Sequence, residues 1–524
     1  MRFKKVLLVT PSPRAEWRAL TPHIGQAYLA QTLLESGIEY DILDMNLGYD
    51  LKDINQKIED FHPDLLGISL ISFEYKRFYN LLSTIKTLYP TVKTIVGGPH
   101  VTIMREQVLR ECNAIDYGAV YEGEGTLTEL CQGELPEADI RGLISRQNGD
   151  IIYAGDRKPV SNLDQIPWPR YERFELHKYM GEMTIYSSRG CPHKCIFCPN
   201  RILSPHYRSR SPGHVVDEME YWYRKGCRQF NFDDDNFNLI RERVFAICDE
   251  IKRRGLKDLF LRCSNGIRAD RVDREMLEKM HEVGFRYIAF GVDAGNNRML
   301  EVVKKGETIE QIEQAISNAC DLGYDVKLLF VVGTPYETKD DVEDKVRLSR
   351  KYPIQEVHFY NTIPTPGTEL FEWVKANNLF LEDPEEYLNH ASFWPTSWEL
   401  ESLTPVFETP ELPRQARMEL FKYLTKVRRQ IHRDFILRKL RRSPVIGILL
   451  RNRVIGKLLS YLTINRYVEK LFYQSIFIRK VLEGVRYRLS SGKHAIKYQQ
   501  KSFEKETKGT MHRRHHEVPK SITG

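Results

Sequence analysis

"SSRGCPHKCIFCPN", residues 187–200, places Cys191, Cys195 and Cys198 within eight positions, with Gly190 ahead of the first thiol and Phe197 ahead of the last. The other six cysteines, Cys112, Cys131, Cys227, Cys248, Cys263 and Cys320, stand singly along the 524 residues. The opening MRFKKVLLVTPSP reads as a buried strand rather than a secretory leader, and no apolar run approaches the roughly 18 residues of a membrane span. A cytosolic location with reduced thiols is therefore expected. There a tight cysteine cluster points to a metal or redox site, and isolated cysteines to small core residues.

The cluster sits at the end of the first of six strand-like runs: EMTIYSS from 182, RQFNFDD (228–234), DLFLRCS (258–264), RYIAFGV (286–292), VKLLFVV (326–332) and QEVHFYN (355–361). Helical patterns separate them at the spacing of right-handed βα crossovers, which predicts a partial (β/α)6 barrel over 182–400. Barrels carry their chemistry at the carboxyl ends of the strands, the end at which the cysteines lie.

Upstream, KKVLLVT (4–10), EYDILD (39–44), LLGISL (65–70), VKTIVGG (92–98) and IDYGAV (115–120) alternate with helical patterns and are apolar enough for strands buried on both faces. An α/β, doubly wound, flavodoxin-like domain is expected over 1–135, with its ligand at strand ends bearing TPSPRAEW, LISFEYKRF, VGGPH and YEGEGT. Residues 136–181 read as a connector, with an Asn148-Gly149 hairpin signal and then Pro167 and Pro169.

Charge divides the chain differently. Residues 414–524 hold 28 Lys and Arg against 7 Asp and Glu, a surplus of 21, so the preceding 413 residues are net −14. Residues 401–490 interleave arginines and lysines with apolar clusters, among them Ile446, Ile448, Leu449, Leu450, Val454, Ile455, Leu458 and Leu459, and read as basic amphipathic helices. Residues 491–524 are polar and expected to be disordered.

Zinc knuckles use two separated ligand pairs, and here a structural zinc would need His193 or His206 to complete it. Three thiols on one loop can instead hold three irons of a 4Fe-4S cluster and leave the fourth open. CPHKCIFC resembles the CxxxCxxC signature of the radical S-adenosylmethionine (SAM) superfamily. The resemblance implies that Cys191, Cys195 and Cys198 ligate the cluster and that SAM chelates the open iron. By the same likeness, FNFDDDNF (Asp233, Asp234, Asp235, Asn236) marks the SAM amino-group site, although the glycines of the commoner GGE pattern are missing. CSNGIRAD (Ser264, Asn265, Arg268) and AFGVDAG (Gly291, Asp293) resemble the ribose and carboxylate contacts. FVVGTPYET (Gly333, Pro335, Glu337) resembles the motif beside the adenine, and Phe197 joins the SAM site. The other reading of each Asp or Asn is an ordinary strand-end cap or turn.

The first domain resembles the cobalamin-binding domain of class B radical SAM enzymes, through PHIGQAYLAQTLLESGIEYDILD, VGGPHVT and IDYGAVYEGEGTLTEL. Ser69, Ser72, Gly97, Gly98, Glu122 and Gly123 would then face cobalamin, glycine letting the backbone approach a flat macrocycle. The Asp-x-His-x-x-Gly loop that supplies a lower axial histidine is absent, and His23 and His100 lie in the wrong context. The family implies methylation of an unactivated carbon by way of a 5'-deoxyadenosyl radical and methylcobalamin, with a reductant such as flavodoxin or ferredoxin. Oxidative cyclisation, as in magnesium-protoporphyrin monomethyl ester cyclase, is the alternative of the same architecture. A cobalamin or redox sensor, or a nucleic-acid-binding protein, is the alternative of another class. No motif designates a catalytic side chain, and no specific nucleic acid is expected. The basic tail suits either a helical cap on the barrel or an anionic membrane surface. The second would make the enzyme peripheral at the inner face of the membrane and its small-molecule substrate lipophilic.

Overall fold

A computed structural model describes residues 1–12, 21–390 and 404–441 of the chain. Strands β1 (Lys5–Thr10), β2 (Glu39–Asp44), β3 (Leu65–Ser69), β4 (Lys93–Gly97) and β5 (Tyr117–Ala119) form a parallel sheet in the order β2-β1-β3-β4-β5. The apolar runs are strands because helices cover both faces: Val6, Leu7, Leu8 and Val9 are all buried. The order reverses between β1 and β3, where open α/β sheets bind ligands.

The sheet does not end with β5. Strands β6 (Leu143–Gln147) and β7 (Asp150–Tyr153) continue it as an antiparallel hairpin. Asn148 and Gly149 at the turn have φ of 51° and 92°, the left-handed pair that a two-residue hairpin requires.

The second sheet contains β8 (Glu182–Ile185), β11 (Gln229–Phe232), β12 (Phe260–Ile267), β13 (Phe285–Asp293), β14 (Asp325–Val332) and β15 (Glu356–Asn361), all parallel and ordered β15-β14-β13-β12-β11-β8. The short antiparallel strands β9 (Ser188–Arg189) and β10 (Arg208–Ser209) bracket the cysteine loop. Capping boxes start the helices Ile309–Asp321 (Thr308 with Gln311) and Lys339–Lys351 (Thr338 with Asp341). In β14, Val326, Leu328, Phe330 and Val332 are buried against helices, while Lys327, Leu329 and Val331 are partly open and face the lumen. The two sheets share one apolar cluster that runs from Leu8 and Tyr40 through Tyr171 and Trp222 to Phe330.

The helix Arg414–Arg441 closes the open side of the barrel beyond β15. Phe421, Leu424, Val427 and Ile431 recur at helical spacing and are buried. Near its end Arg438 Nη2 donates to Ile354 O (2.8 Å) and Lys439 pairs with Asp325 (2.8 Å), both at the amino ends of strands. Its start lies at the carboxyl ends, where Arg417 meets Gly333. Over these residues the tail packs on the side of the barrel as a helix. The apolar clusters at 446–459 and the tail 491–524 lie outside the described residues. Among the described residues no helix is long and apolar enough to cross a membrane.

Candidate functional site

The cysteine loop is built by a tight exit from β9. Gly190 has φ +87°, and a Cβ there would meet the Ser204 and His206 carbonyl oxygens, so only glycine fits the turn. Its N–H donates to Asp235 Oδ2 (2.9 Å), and Asn200 Nδ2 donates to Asp235 Oδ1 (2.7 Å), so one carboxylate ties both ends of the loop. The middle is held by Ile196, whose N–H donates to Val303 O (3.2 Å) and whose O accepts from Leu370 N–H (3.0 Å). Cys191, Cys195 and Cys198 remain partly exposed, and the neighbouring thiols add to the raised pKa of Cys195 and Cys198. Burial, the largest cause, pushes Cys195 up to about 11 and Cys198 to about 12, so metal loading must displace protons.

The donor set fits a cluster. It offers three sulfurs from one loop, with Asn236 Nδ2 directed at Cys191 Sγ (3.9 Å) as an outer N–H donor. Among the described residues no three His, Cys, Asp or Glu side chains converge as ligands of a single ion would. Cubane thiolates stand on separate irons and need not converge.

The carboxylates around the loop are largely engaged. Asp234, buried at the end of β11, accepts from Ser187 N–H (2.6 Å), Ser188 N–H (3.1 Å) and the Ser187 hydroxyl. Asp233 beside it is raised to about 6 by burial and by Asp234. Asn265 Nδ2 reaches Asp234 O (3.2 Å), and Asn236 Oδ1 is buried with no hydrogen-bond partner. Arg268 donates to Asp270 (2.8 Å), Lys305 O (2.9 Å) and Gly306 O (3.1 Å). Asp293 pairs with Lys305 Nζ (2.7 Å), which is buried and also faces Glu307. Glu337 accepts from Gly333 N–H (2.5 Å) and Thr334 N–H (3.3 Å) and pairs with Lys345. Phe197 packs on the apolar cluster that contains Ile196 and Val303. Sequence reasoning missed Lys305 and Glu307; VKKGET (303–308) looks like a solvated charge run until the fold buries its alternate residues Lys305 and Glu307 beside Arg268.

The amino end of the lumen is floored by a polar chain. Arg262 pairs with Glu182 (3.0 Å) and stacks on Tyr287 (4.6 Å), Tyr287 donates to Glu356 (2.9 Å), and His358 meets Glu356 (3.1 Å). Burial drops His358 to about 3, so it is neutral. Above this floor Ser264, Gly266, Ala289 and Gly291 keep β12 and β13 free of bulk, and Leu329 and Val331 supply apolar wall.

In the first domain Ser69, Gly97 and Gly98 meet at the ends of β3 and β4. Gly98 has φ +93°, and a Cβ there would meet Leu70 O and Ser69 Oγ at 2.8 Å, whereas one at Gly97 would touch Ala119 only at 3.7 Å or beyond. The strand-end cradle at Gly97 fits the close approach of a flat ring. Ser72 Oγ meets His100 Nδ1 (3.3 Å), whose Nε2 meets Tyr79 Oη (2.9 Å), while Tyr75 stacks on the ring at 4.4 Å. His23 Nδ1 accepts from Gln26 N–H (3.1 Å) as a helix cap. Both histidines thus have structural partners among the described residues.

The two halves meet at Glu122. Arg189 donates to Glu122 (2.9 Å) and Glu124 (2.8 Å), and Arg208 donates to both oxygens of Glu122 (2.8 and 3.0 Å). Arg189 also lies over the Tyr28 ring (4.9 Å). Glu122 immediately precedes the helix Gly123–Gln132 after β5, and the arginines sit on the strands that bracket the cysteine loop. The carboxyl ends of both sheets therefore face one another.

Residues 185–348 match the family described as Radical SAM superfamily, and residues 14–131 match the B12 binding domain. The chain is 32% identical over 399 residues to an uncharacterised methyltransferase of Pyrococcus horikoshii, covering 73% of this chain and 85% of the relative. It is 27% identical over 394 residues to the anaerobic magnesium-protoporphyrin IX monomethyl ester cyclase of Rubrivivax gelatinosus, covering 70% and 69%. The solved structure of the cobalamin-dependent SAM radical enzyme OxsB, with aqua-cobalamin and SAM bound, superposes with a TM-score of 0.66 at 16% identity over 96% of this chain and 84% of that one, a likeness of fold.

Proposed function

The chain belongs to the cobalamin-dependent radical SAM family, and we propose that it is a methyltransferase acting on an unactivated carbon of a small lipophilic substrate held in the barrel lumen. Family membership makes it an enzyme whose cofactors are a 4Fe-4S cluster, SAM and cobalamin. When bound, these supply the 5'-deoxyadenosyl radical and a transferable methyl group.

The observation that carries the reading is the junction of Glu122 with Arg189 and Arg208. It sets the strand ends bearing Gly97 and Gly98 on the same side as the cysteine loop, as a substrate approached by both cofactors requires. In this reading Cys191, Cys195 and Cys198 hold the cluster, and Asp234 and Asp235 fix their loop. Asn236, Asn265 and Phe197 border SAM. Arg268, Asp293, Gly333 and Glu337 shape the loops beneath it through their internal pairs. Ser69, Gly97 and Gly98 border cobalamin, Ser72 supports that loop through His100, and Glu122 and Gly123 join it to the barrel.

Leu329 and Val331 support a lipophilic substrate, and the amphipathic residues 446–459 are the segment through which an anionic membrane surface would deliver it. The likeness to the cyclase favours oxidative ring formation as the second reading. Anaerobic reconstitution with iron, sulfide and cobalamin, followed by reductant, SAM and candidate extracts, separates the two. Formation of 5'-deoxyadenosine together with S-adenosylhomocysteine indicates methylation. Deoxyadenosine alone refutes it in favour of cyclisation.

A further inference from the structure

Arg417 has no exposed surface, and none of Nε, Nη1 and Nη2 has a hydrogen-bond partner among the described residues. Other buried arginines spend most of their N–H groups: Arg210 on Glu218, Tyr186 O and His214 O, Arg268 on Asp270 and two carbonyls, and Arg243 on Arg210 O and Ser187 O with Nη1 alone left over. Burial lowers the Arg417 pKa only to about 10, so the group stays charged at neutral pH. An uncompensated buried cation is strongly unfavourable.

The close neighbours of the guanidinium are an aromatic ring and a backbone: the Phe407 ring centre lies 4.5 Å from Cζ, and a Cβ at Gly333 would lie 2.6 Å from Nη1 and 2.7 Å from Nε. The nearby carboxylates are committed elsewhere. Glu337 is held by Gly333 N–H, Thr334 N–H and Lys345, and Glu408 accepts from Arg414 N–H (2.7 Å). Thr334 Oγ1, one residue beyond Gly333, is likewise buried and unpartnered. Arg417 also lies in the first turn of the 28-residue helix Arg414–Arg441, where the helix dipole disfavours a cation and favours an anion. This end of the helix stands at the carboxyl ends of β14 and β15, on the reactive side of the barrel.

We propose that Arg417 is the anchor of an oxyanion site, taking a carboxylate or phosphate-type group of a ligand bound at the carboxyl end of the barrel. Two sources share that chemistry, the carboxylate of SAM and an acidic group on the substrate. If the substrate supplies it, the lipophilic molecule proposed above is an amphiphile with an acidic head. The anion site stands on the geometry of Arg417 alone, and its failure would leave the methyltransferase reading untouched.

The test uses the full-length reconstituted protein, with thermal denaturation in phosphate or acetate against chloride at equal ionic strength, and equilibrium dialysis of SAM and of methylthioadenosine, which lacks the carboxylate. The wild type should gain melting temperature in phosphate or acetate, and Arg417→Met should not. In chloride Arg417→Met should melt no lower than the wild type, because it removes an unpaired buried charge. If SAM is the source, its affinity for the variant falls on the order of 100-fold while that of methylthioadenosine holds. If the substrate is the source, both affinities hold and only the response to the free anions is lost. Should the methionine variant not fold, Arg417→Gln, which keeps a planar head against Phe407, replaces it. A wild type indifferent to both anions with SAM affinity unchanged in the variant, or a variant that retains the anion response, overturns the proposal.

Discussion

Gly190→Ala tests whether the turn before Cys191 sets the geometry of the three thiols. At φ +87° a side chain costs about 1 to 2 kcal/mol in the left-handed region. Beyond that, the new Cβ would lie 2.7 Å from Ser204 O and 2.9 Å from the His206 carbonyl carbon, and closer still to His206 O. These are backbone atoms, so relief requires moving the chain. What yields is the weakest element nearby, the two-residue pairing of β9 with β10, together with the Gly190 N–H to Asp235 bond. Losing one or two such bonds adds roughly 1 to 2 kcal/mol, for a total of about 3 kcal/mol against the closed loop, on the order of 100-fold in its population. The assay is iron and sulfide bound per chain after anaerobic reconstitution, with cluster absorbance near ~400 nm. Gly255→Ala is the control: its φ is +66°, but nothing lies within 4 Å of the new Cβ, so it carries the backbone strain alone and should load fully. A Gly190→Ala protein that takes up iron and sulfide like the wild type would refute the reasoning.

Alanine at Cys191, Cys195 or Cys198 should abolish cluster absorbance and SAM cleavage together, while Cys227→Ala, buried beside Gly181 and Gln229, should spare both; cleavage at the wild-type level by Cys195→Ala counts against the assignment. Gly97→Ala should leave the melting temperature unchanged, because its Cβ meets only ordinary contacts, and Gly97→Val should lose cobalamin while keeping the iron-sulfur cluster; Gly98→Ala should already be unstable from its 2.8 Å contacts. Asp233 is raised from 3.8 to about 6, so the folded state binds its proton more tightly than the unfolded one, and stability is fullest below about pH 4 and falls as pH rises to 6. Asp233→Asn in the cofactor-free protein should therefore raise the melting temperature at pH 7, by up to about 3 kcal/mol of stability, and match the wild type near pH 4; a gain confined to acid pH would contradict the sign.

The parallel strands were legible because sheets covered on both faces need uninterrupted apolar runs, and KVLLVT or VKLLFVV can satisfy nothing else at that length. The hairpin was legible because Asn-Gly supplies two left-handed residues. The charged side chains were not. Asp234 and Ser187 are 47 residues apart, Asn200 and Asp235 are 35 apart, and Arg208 and Glu122 are 86 apart, and no local pattern announces such partners. An aspartate that clamps a loop and one that contacts a ligand look alike in a sequence. The amphipathic character of the helix Arg414–Arg441 was legible in its interleaved basic and apolar residues, but nothing local marks Arg417 as fully buried.

The cysteine loop shows why the chemistry cannot be assigned to the barrel alone. Its two ends are tied by Asp235, which follows β11, and its middle by Val303 and Leu370 from the far side of the sheet. Its bracketing strands are tied by Glu122 and Glu124 from the other domain. Arg189 and Arg208 are mostly buried, so removing Glu122 would leave two guanidinium groups short of partners. The first domain is therefore part of the frame that holds the thiols, as well as a platform for its own cofactor. This dependence also bears on how the chain must assemble. The first sheet, including β5 and its Glu122 loop, has to be formed before the cysteine loop has all its partners. Before that, cluster insertion would meet a loop held by Asp235, Val303 and Leu370 while the strands that bracket it still lack their carboxylate partners.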